Sequence, residues 1–428
     1  MDALIRLLKK LLKPLLPRPV LRLLYRWAAY RYIRRIPPPE DGARPAVVAL
    51  NHFFDQDLRA MVLARVRYGI VIVDAPRLFR GAHMFFDEDV RLLRTPYDST
   101  DPRRIAQYRD ECRLLFKRLY RRFEFRVLMT SSDVFYWVRE FIGVAREFGV
   151  TCVVLDKEGT ISPYAYDAIA ERIRALAPFV SDHIYVWSES QREFWKKIGV
   201  AEHQITVVGQ PRSDLFFTEH RHDVDAYFPT VQPLVSVFSF DDAAYLPREA
   251  VDRGISWKGL KRQTLDVVEL LAEAYPDHNF LVKAHPQQRD LGELRARYSR
   301  DNLAVVGGAA IANELIQRSD LIIGFQTTAL IEAMMLDRPV IYTAWDEYYR
   351  EYLTDALLPL HRARGIVLAH SPADFETICR RFLSGDLSDF EFSDAEVRER
   401  RIFVNRYLHE PDGHVCERIW TELARFIG

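Results

Sequence analysis

Residues Ser319 to Tyr342, SDLIIGFQTTALIEAMMLDRPVIY, leave few choices of fold. Asp320 to Gly324 reads as a short buried strand, because Leu321, Ile322 and Ile323 form an unbroken apolar run that ends in a glycine. Thr327 and Thr328 then open a helix. Ala329, Leu330, Ala333, Met334 and Leu336 recur at helical spacing, and Asp337 to Pro339 stops them. Val340, Ile341 and Tyr342 begin another strand. A strand, a turn, a helix and a strand in this order build a parallel sheet. Hydroxyls and unpaired N–H groups at the helix start attract an anion such as phosphate. An ordinary βαβ unit with a threonine N-cap fits the same residues, and both readings stay open.

The pattern recurs along the chain. Ala46–Leu50, Gly69–Asp74, Phe125–Met129, Thr151–Leu155, His183–Trp187 and Ile205–Val208 read as strands separated by amphipathic helices. After a polar passage at Asp223–Pro233 a second series follows: Leu234–Phe238, Asn279–Lys283, Leu303–Val306, Asp320–Ile323, Val340–Tyr342 and Gly365–Leu368. A chain of 428 residues exceeds one ordinary core. We therefore expect an α/β protein with two Rossmann-like domains at 41–228 and 229–405, a helical segment at 1–40 and a final helix within 406–428. A net charge of zero gives no sign of bulk nucleic-acid binding. The four cysteines form no CxxC pair and read as buried thiols.

Chemistry in such sheets gathers at the carboxyl ends of strands. Four clusters fall there: Asn51-His52 with Asp55 close behind, Asp156-Lys157-Glu158-Gly159, Gly209-Gln210-Pro211-Arg212-Ser213-Asp214, and Lys283-Ala284-His285-Pro286. A carboxylate at a strand end can take a proton from an attacking hydroxyl. A basic group can meet the charge of a departing phosphate. Each cluster also has a structural reading: a polar turn at Asp156, a histidine bonded to a carbonyl at His285, an Arg212 that braces Asp214. Glu219, His220 and His222 resemble metal ligands in spacing, but with no second cluster we expect no metal.

The strand-end His285-Pro286, the Thr327-Thr328 helix start, the Glu332-Ala333-Met334 turn and Trp345-Asp346-Glu347-Tyr348-Tyr349 together resemble GT-B glycosyltransferases of bacterial capsule and surface polysaccharides. They are also similar to the polyglycerol-phosphate polymerases. The resemblance implies two domains facing a cleft and an enzyme that moves a sugar or glycerol phosphate from a nucleotide-activated donor, without a metal or other cofactor, onto a glycan or lipid-linked acceptor. It implies that His285, Thr327, Thr328 and Lys283 meet the donor phosphates, that Glu332 takes a ribose or base hydroxyl, and that Arg212 pairs with the donor. It implies a base at Glu158 or Asp156; Lys157 stands where the sialyl-type motif carries a second acid, so the choice stays open. His52 and Asp55 are the next acceptor-side candidates. The acidic-glycine and His-Pro pairing resembles enzymes of cytidine-activated donors, with UDP- and GDP-sugars second. Phe325-Gln326-Thr327-Thr328 stands where the UDP-sugar epimerases of this fold carry Ser-Gly-Gly. A silent binding scaffold of polysaccharide assembly and an epimerase are the alternatives, and nucleotide titration separates them.

Residues 1–36 hold ten Lys or Arg and one acid, Asp2. Leu4, Ile5, Leu7, Leu8, Leu11, Leu12, Leu15 and Leu16 fill one half of a helical wheel, and Arg6, Lys9, Lys10 and Lys13 the other. Val20 to Ile36 continues with Trp27 and tyrosines among arginines. No uncharged run reaches the ~20 residues that span a bilayer. A basic amphipathic segment of this kind lies on an anionic membrane surface. A helix packed on its own domain is the alternative. We expect a cytoplasmic protein, peripheral on the inner face of the membrane, with Pro37-Pro38-Pro39 as a stiff spacer.

Overall fold

A computed structural model describes residues 17–29, 33–36, 45–64, 68–157, 160–218, 223–285, 288–308 and 312–428. Contacts divide the chain into two units: Met1–Gly159, Asp167–Arg212 and His414–Gly428 form the first, Thr160–Tyr166 and Ser213–Gly413 the second. The divisions fall at Arg212 and Gly413, where the sequence suggested 228 and 405.

The first unit is built on seven strands: β1 (Ile33–Ile36), β2 (Pro45–Asn51), β3 (Gly69–Asp74), β4 (Val127–Thr130), β5 (Thr151–Leu155), β6 (His183–Val186) and β7 (Ile205–Val207). They lie in the order β1-β3-β2-β4-β5-β6-β7. β2 to β7 pair in parallel, and β1 joins the edge antiparallel to β3, with Ile33 opposite Val73. Val47, Val48, Ala49 and Leu50 are fully buried, as strands covered on both faces must be.

One expectation needs correcting here. Ile33–Ile36 continues no helix; it is strand β1, because its backbone pairs along the sheet edge with Ile70–Val73 of β3. Among the described residues of this region the helix is Arg18–Ala29. The Leu-rich residues 4–16 and the prolines 37–39 lie outside the described residues. The final helix, Val415–Ile427, packs within the first unit: Trp420 Nε1 donates to the Met61 carbonyl at 2.9 Å, and Arg418 Nε to that of Val208 at 3.0 Å.

The second unit carries six parallel strands: β8 (Leu234–Phe238), β9 (Asn279–Lys283), β10 (Leu303–Val306), β11 (Leu321–Gly324), β12 (Val340–Thr343) and β13 (Val367–Ala369). Their order is β10-β9-β8-β11-β12-β13. Every residue of β8, β9, β11 and β12 is buried. The sheet order fixes where ligands go. Successive strands run outward from β8 through β9 to β10, and the chain then returns to β11 on the other side of β8. Connections leave in opposite directions there, and in open α/β sheets ligands bind beyond the carboxyl ends of the strands at such a point. The first unit has the same reversal at β2 and β4.

Candidate functional site

At the reversal of the second unit the chain leaves β11 through Phe325 and Gln326 into the helix Thr328–Met335. Gln326 holds φ at 47°, an uncommon left-handed conformation for a residue with a side chain. Its amide is pinned in compensation. Nε2 donates to the Tyr342 hydroxyl at 2.7 Å and the Leu358 carbonyl at 3.0 Å, and Oε1 accepts from the Leu358 N–H at 3.1 Å. Phe325 is buried against Phe240, Trp257, Tyr342 and Tyr349. This anchoring sets the turn so that Thr327 becomes the N-cap, its Oγ1 accepting from the Ala329 N–H at 3.3 Å. Thr327 and Thr328 are both half-buried.

Across the reversal, β8 ends in Phe238 and is followed by Ser239. The Ser239 N–H donates to the Lys283 carbonyl at 2.9 Å. Its hydroxyl is enclosed without a hydrogen-bond partner among the described residues. A buried polar group left unmatched in this way is open to a water or a ligand. Sequence alone did not single out Ser239, because one serine after an apolar strand has no signature; the sheet order supplies the signal.

Lys283 closes β9 and is buried. Burial lowers its pKa, and the carboxylate of Glu332, itself buried on the Thr328–Met335 helix, acts to raise it. Glu332 thus acts on a cation of the same unit. His285, two residues on, is exposed, and its backbone is clamped by Gln288: Oε1 accepts from the His285 N–H at 3.0 Å, and the Gln288 N–H donates to the His285 carbonyl at 2.9 Å. Pro286 lies outside the described residues. Lys261, on the helix Lys258–Ala274, holds this loop from below. Its Nζ donates to Asp290 Oδ2 at 2.5 Å and pairs with Asp242 Oδ1 at 2.5 Å. One cation therefore ties the loop after β9 to the loop after β8. The sequence reading passed over it, since a lysine within a helix looks solvated until the fold brings two distant acids to it.

In the first unit the reversal gathers a different set. Ser131, after β4, donates to the His52 carbonyl at 3.0 Å and joins the two strand ends. The His52 ring packs on Phe53, Phe135 and Trp137 at centroid distances of 4.3, 4.8 and 5.1 Å. Its Nδ1 is buried without a hydrogen-bond partner among the described residues. Burial, with the nearby Lys157 ammonium adding to it, brings the His52 pKa down to about 4, so the ring is neutral at neutral pH. Lys157 sits over the Phe53 ring at 4.9 Å. Asp55 accepts from Asn51 Nδ2 at 2.6 Å at the start of the next helix.

Asp156 has different surroundings. It is buried, and its Oδ2 accepts from Trp195 Nε1 at 2.7 Å and Gln191 Nε2 at 3.2 Å. That geometry suits a carboxylate that fastens the helix Glu189–Ile198 to the end of β5. Glu158 lies outside the described residues, as do the Glu219-to-His222 candidates. Among the described residues no group of three or more His, Cys, Asp or Glu is placed to hold a metal. Arg212 lies in the first unit, its N–H donating to Asp57 Oδ1 at 3.3 Å and its guanidinium 4.8 Å above the Trp187 ring. Gly209, three residues earlier, has φ of 99°, and a Cβ there would meet Val415 at 2.9 Å; only glycine fits that turn.

The family model described as CDP-Glycerol:Poly(glycerophosphate) glycerophosphotransferase matches residues 165–424, more than half of the chain. No curated protein matches. Among solved structures, the wall teichoic acid polymerase TagF is 12% identical, with 99% of this chain and 97% of that chain covered at a TM-score of 0.54. UDP-GlcNAc 2-epimerase from Neisseria meningitidis, bound to UDP-GlcNAc, is 11% identical over 90% of this chain and 100% of that one, at 0.51. S. aureus MnaA with UDP is 10% identical over 90% and 97%, at 0.50. At such identities the structural likeness speaks for the fold, and that fold is GT-B. The chain belongs to the CDP-glycerol:poly(glycerophosphate) glycerophosphotransferase family and is a transferase of GT-B fold.

Proposed function

We propose that this enzyme transfers glycerol phosphate from CDP-glycerol to a hydroxyl of a surface polymer or its lipid-linked precursor, at an anionic membrane surface reached through residues 1–36. The observation that carries the reading is the family match over residues 165–424, which takes in all six strands of the second unit and the polar groups at its β8–β11 reversal. The acceptor oxygen forms a bond to the distal phosphorus of the donor. The phosphoanhydride bond breaks, CMP leaves with that electron pair, and the acceptor proton passes to a base.

Roles follow from the surroundings of each group. His285, Thr327, Thr328 and Ser239 can each present a donor to phosphate, and Lys283 supplies positive charge that the field of Glu332 favours. Donors fixed before the charge develops lower the barrier most. In the first unit His52 is the better-prepared base: its ring is neutral and half-buried, and an anion brought beside it would raise its pKa toward the working range. Asp156 is assigned a bracing role through Trp195 and Gln191, and Arg212 a bracing role through Asp57 and Trp187. Glu158 stays a second candidate base.

The test offers the purified protein CDP-glycerol, a CMP-linked sugar and UDP-GlcNAc, each with membrane lipid extract. Release of CMP with label passing into the lipid or polymer fraction, from CDP-glycerol alone, is the expected result. Absence of CDP-glycerol binding in calorimetry, or transfer only from a UDP-sugar, overturns the proposal. Conversion of UDP-GlcNAc without acceptor would favour the epimerase alternative.

A further inference from the structure

In the first unit β2 delivers Asn51 and His52, and the chain then turns at Phe53 into the helix Asp55–Leu63. Phe53 holds φ at 63°, a left-handed conformation that a bulky residue rarely adopts. The turn serves the backbone: it sends Phe54, 1% exposed, inward as the N-cap residue of the helix. Glycine would make that turn without strain. The backbone therefore accounts for the turn and not for the ring. The ring is 61% exposed, so burial does not account for it either. It is braced all the same. The His52 ring lies 4.3 Å from it at 51°, and the Lys157 ammonium, beyond the end of β5, stands 4.9 Å over it. Backbone strain of this kind gathers where ligands are handled.

The polar neighbours select the ligand. Asn51 donates through Nδ2 to Asp55 and keeps Oδ1 without a donor among the described residues, and Gln56 keeps Oε1 in the same state. His52 Nδ1 adds a third unmatched atom at this strand end. Carbonyl oxygens only accept hydrogen bonds, so what is missing is a source of O–H or N–H donors. A short carbon chain bearing several hydroxyls supplies them, and its C–H face suits the electron-rich face of an aromatic ring. We propose that Phe53 is the platform on which the terminal polyol of the acceptor rests, its C–H face against the ring and a hydroxyl toward His52. The inference rests on the transferase reading for the identity of the acceptor, and it adds the residue that selects a polyol end over a simple alcohol.

The experiment uses the full chain and synthetic tri(glycerol phosphate) as the probe, with butyl phosphate as the simple-alcohol control. Saturation-transfer NMR, irradiating aromatic protons, reads the contact directly: the C–H protons of the terminal glycerol should receive saturation, and butyl phosphate should receive much less. Phe53→Gly should weaken probe binding roughly tenfold and remove most of that transfer, and Phe53→Tyr should keep both. Phe53→Asn, which also tolerates this φ, should behave as Phe53→Gly does. The melting temperature of Phe53→Gly should not fall, because glycine takes this conformation without strain. Affinities are compared at a temperature where circular dichroism shows each variant folded. Wild-type affinity for the probe in Phe53→Gly and Phe53→Asn overturns the proposal, and so does a wild-type protein that ignores the probe or binds butyl phosphate equally well. CDP titration on the same samples separates this from the transferase reading. A protein whose probe binding depends on Phe53 but that binds no CDP loses that reading and keeps the platform; one that binds CDP and not the probe does the opposite.

Discussion

Replacing Lys261 by methionine tests how the second unit holds the loops that follow β8 and β9. The ammonium is 6% exposed and contacts Asp242 and Asp290 at 2.5 Å each. Burial alone would lower its pKa, but the two carboxylates more than offset that and raise it. Removing one member of a fully buried ion pair costs about 3–5 kcal/mol, because the other is left uncompensated. The side chains of Asp242 and Asp290 are 39% and 24% exposed, so water takes up part of the freed charge. We expect Lys261→Met to destabilise the second unit by about 2 kcal/mol. Adding Asp242→Asn and Asp290→Asn to it should restore about half, since two like charges without a cation are worse than two amides. The assay is urea unfolding, reading the transition of the second unit. Turnover should fall in the single variant as well, because Asp290 lies two residues beyond the Gln288 that clamps His285. A single variant within about 0.5 kcal/mol of wild type, or a triple variant no more stable than the single, would refute the reasoning.

His285→Ala should reduce turnover roughly 10²–10³-fold while keeping the fold, since Gln288 grips the backbone of that residue; wild-type rates in steady-state assays would remove it from the site. Ser239→Ala should raise the KM for CDP-glycerol and leave thermal stability within about 0.5 kcal/mol, because its hydroxyl has no partner among the described residues. Gln326→Leu should cost about 2–3 kcal/mol, since the Leu358 N–H and C=O and the Tyr342 hydroxyl lose their partner; chemical denaturation reads it. The pH dependence has a definite sign. His52 and His183 are both lowered from 6.5 to about 4, chiefly by burial. Between those values the unfolded chain takes up protons that the folded chain refuses. The first unit should therefore be fully stable above about pH 6.5 and lose stability steadily toward pH 4, a slope that calorimetry should find reduced in His52→Gln.

Much of this was written locally. LIIG, the VIY of VIYT and the FLV of NFLVK are unbroken apolar runs, and a strand buried on both faces needs little else; hence these strands of the second sheet could be read directly. The hydroxyls at Thr327 and Thr328 announced a helix start, and the helix does begin at Thr328. Ile33–Ile36 misled because its two isoleucines stand three apart, a helical spacing, and only its neighbour β3 decides for a strand.

What the chain by itself determined is the sequence of strands and helices and the polar residues that close each strand, because backbone preference and apolar period act over a few residues. What only the tertiary structure decided is the sheet order, and with it which of those strand ends lie at a reversal. It also decided which polar groups are taken by the fold and which stay open. Asp156 and Arg212 look as available as His52 in sequence, yet Trp195, Gln191, Asp57 and Trp187 engage them, from as much as 155 residues away. The same holds for the helix Arg18–Ala29, whose Arg26 and Arg22 are held by Glu111 and Phe85. Partners brought together by packing determine a side chain's charge, direction and freedom, and no local rule contains them.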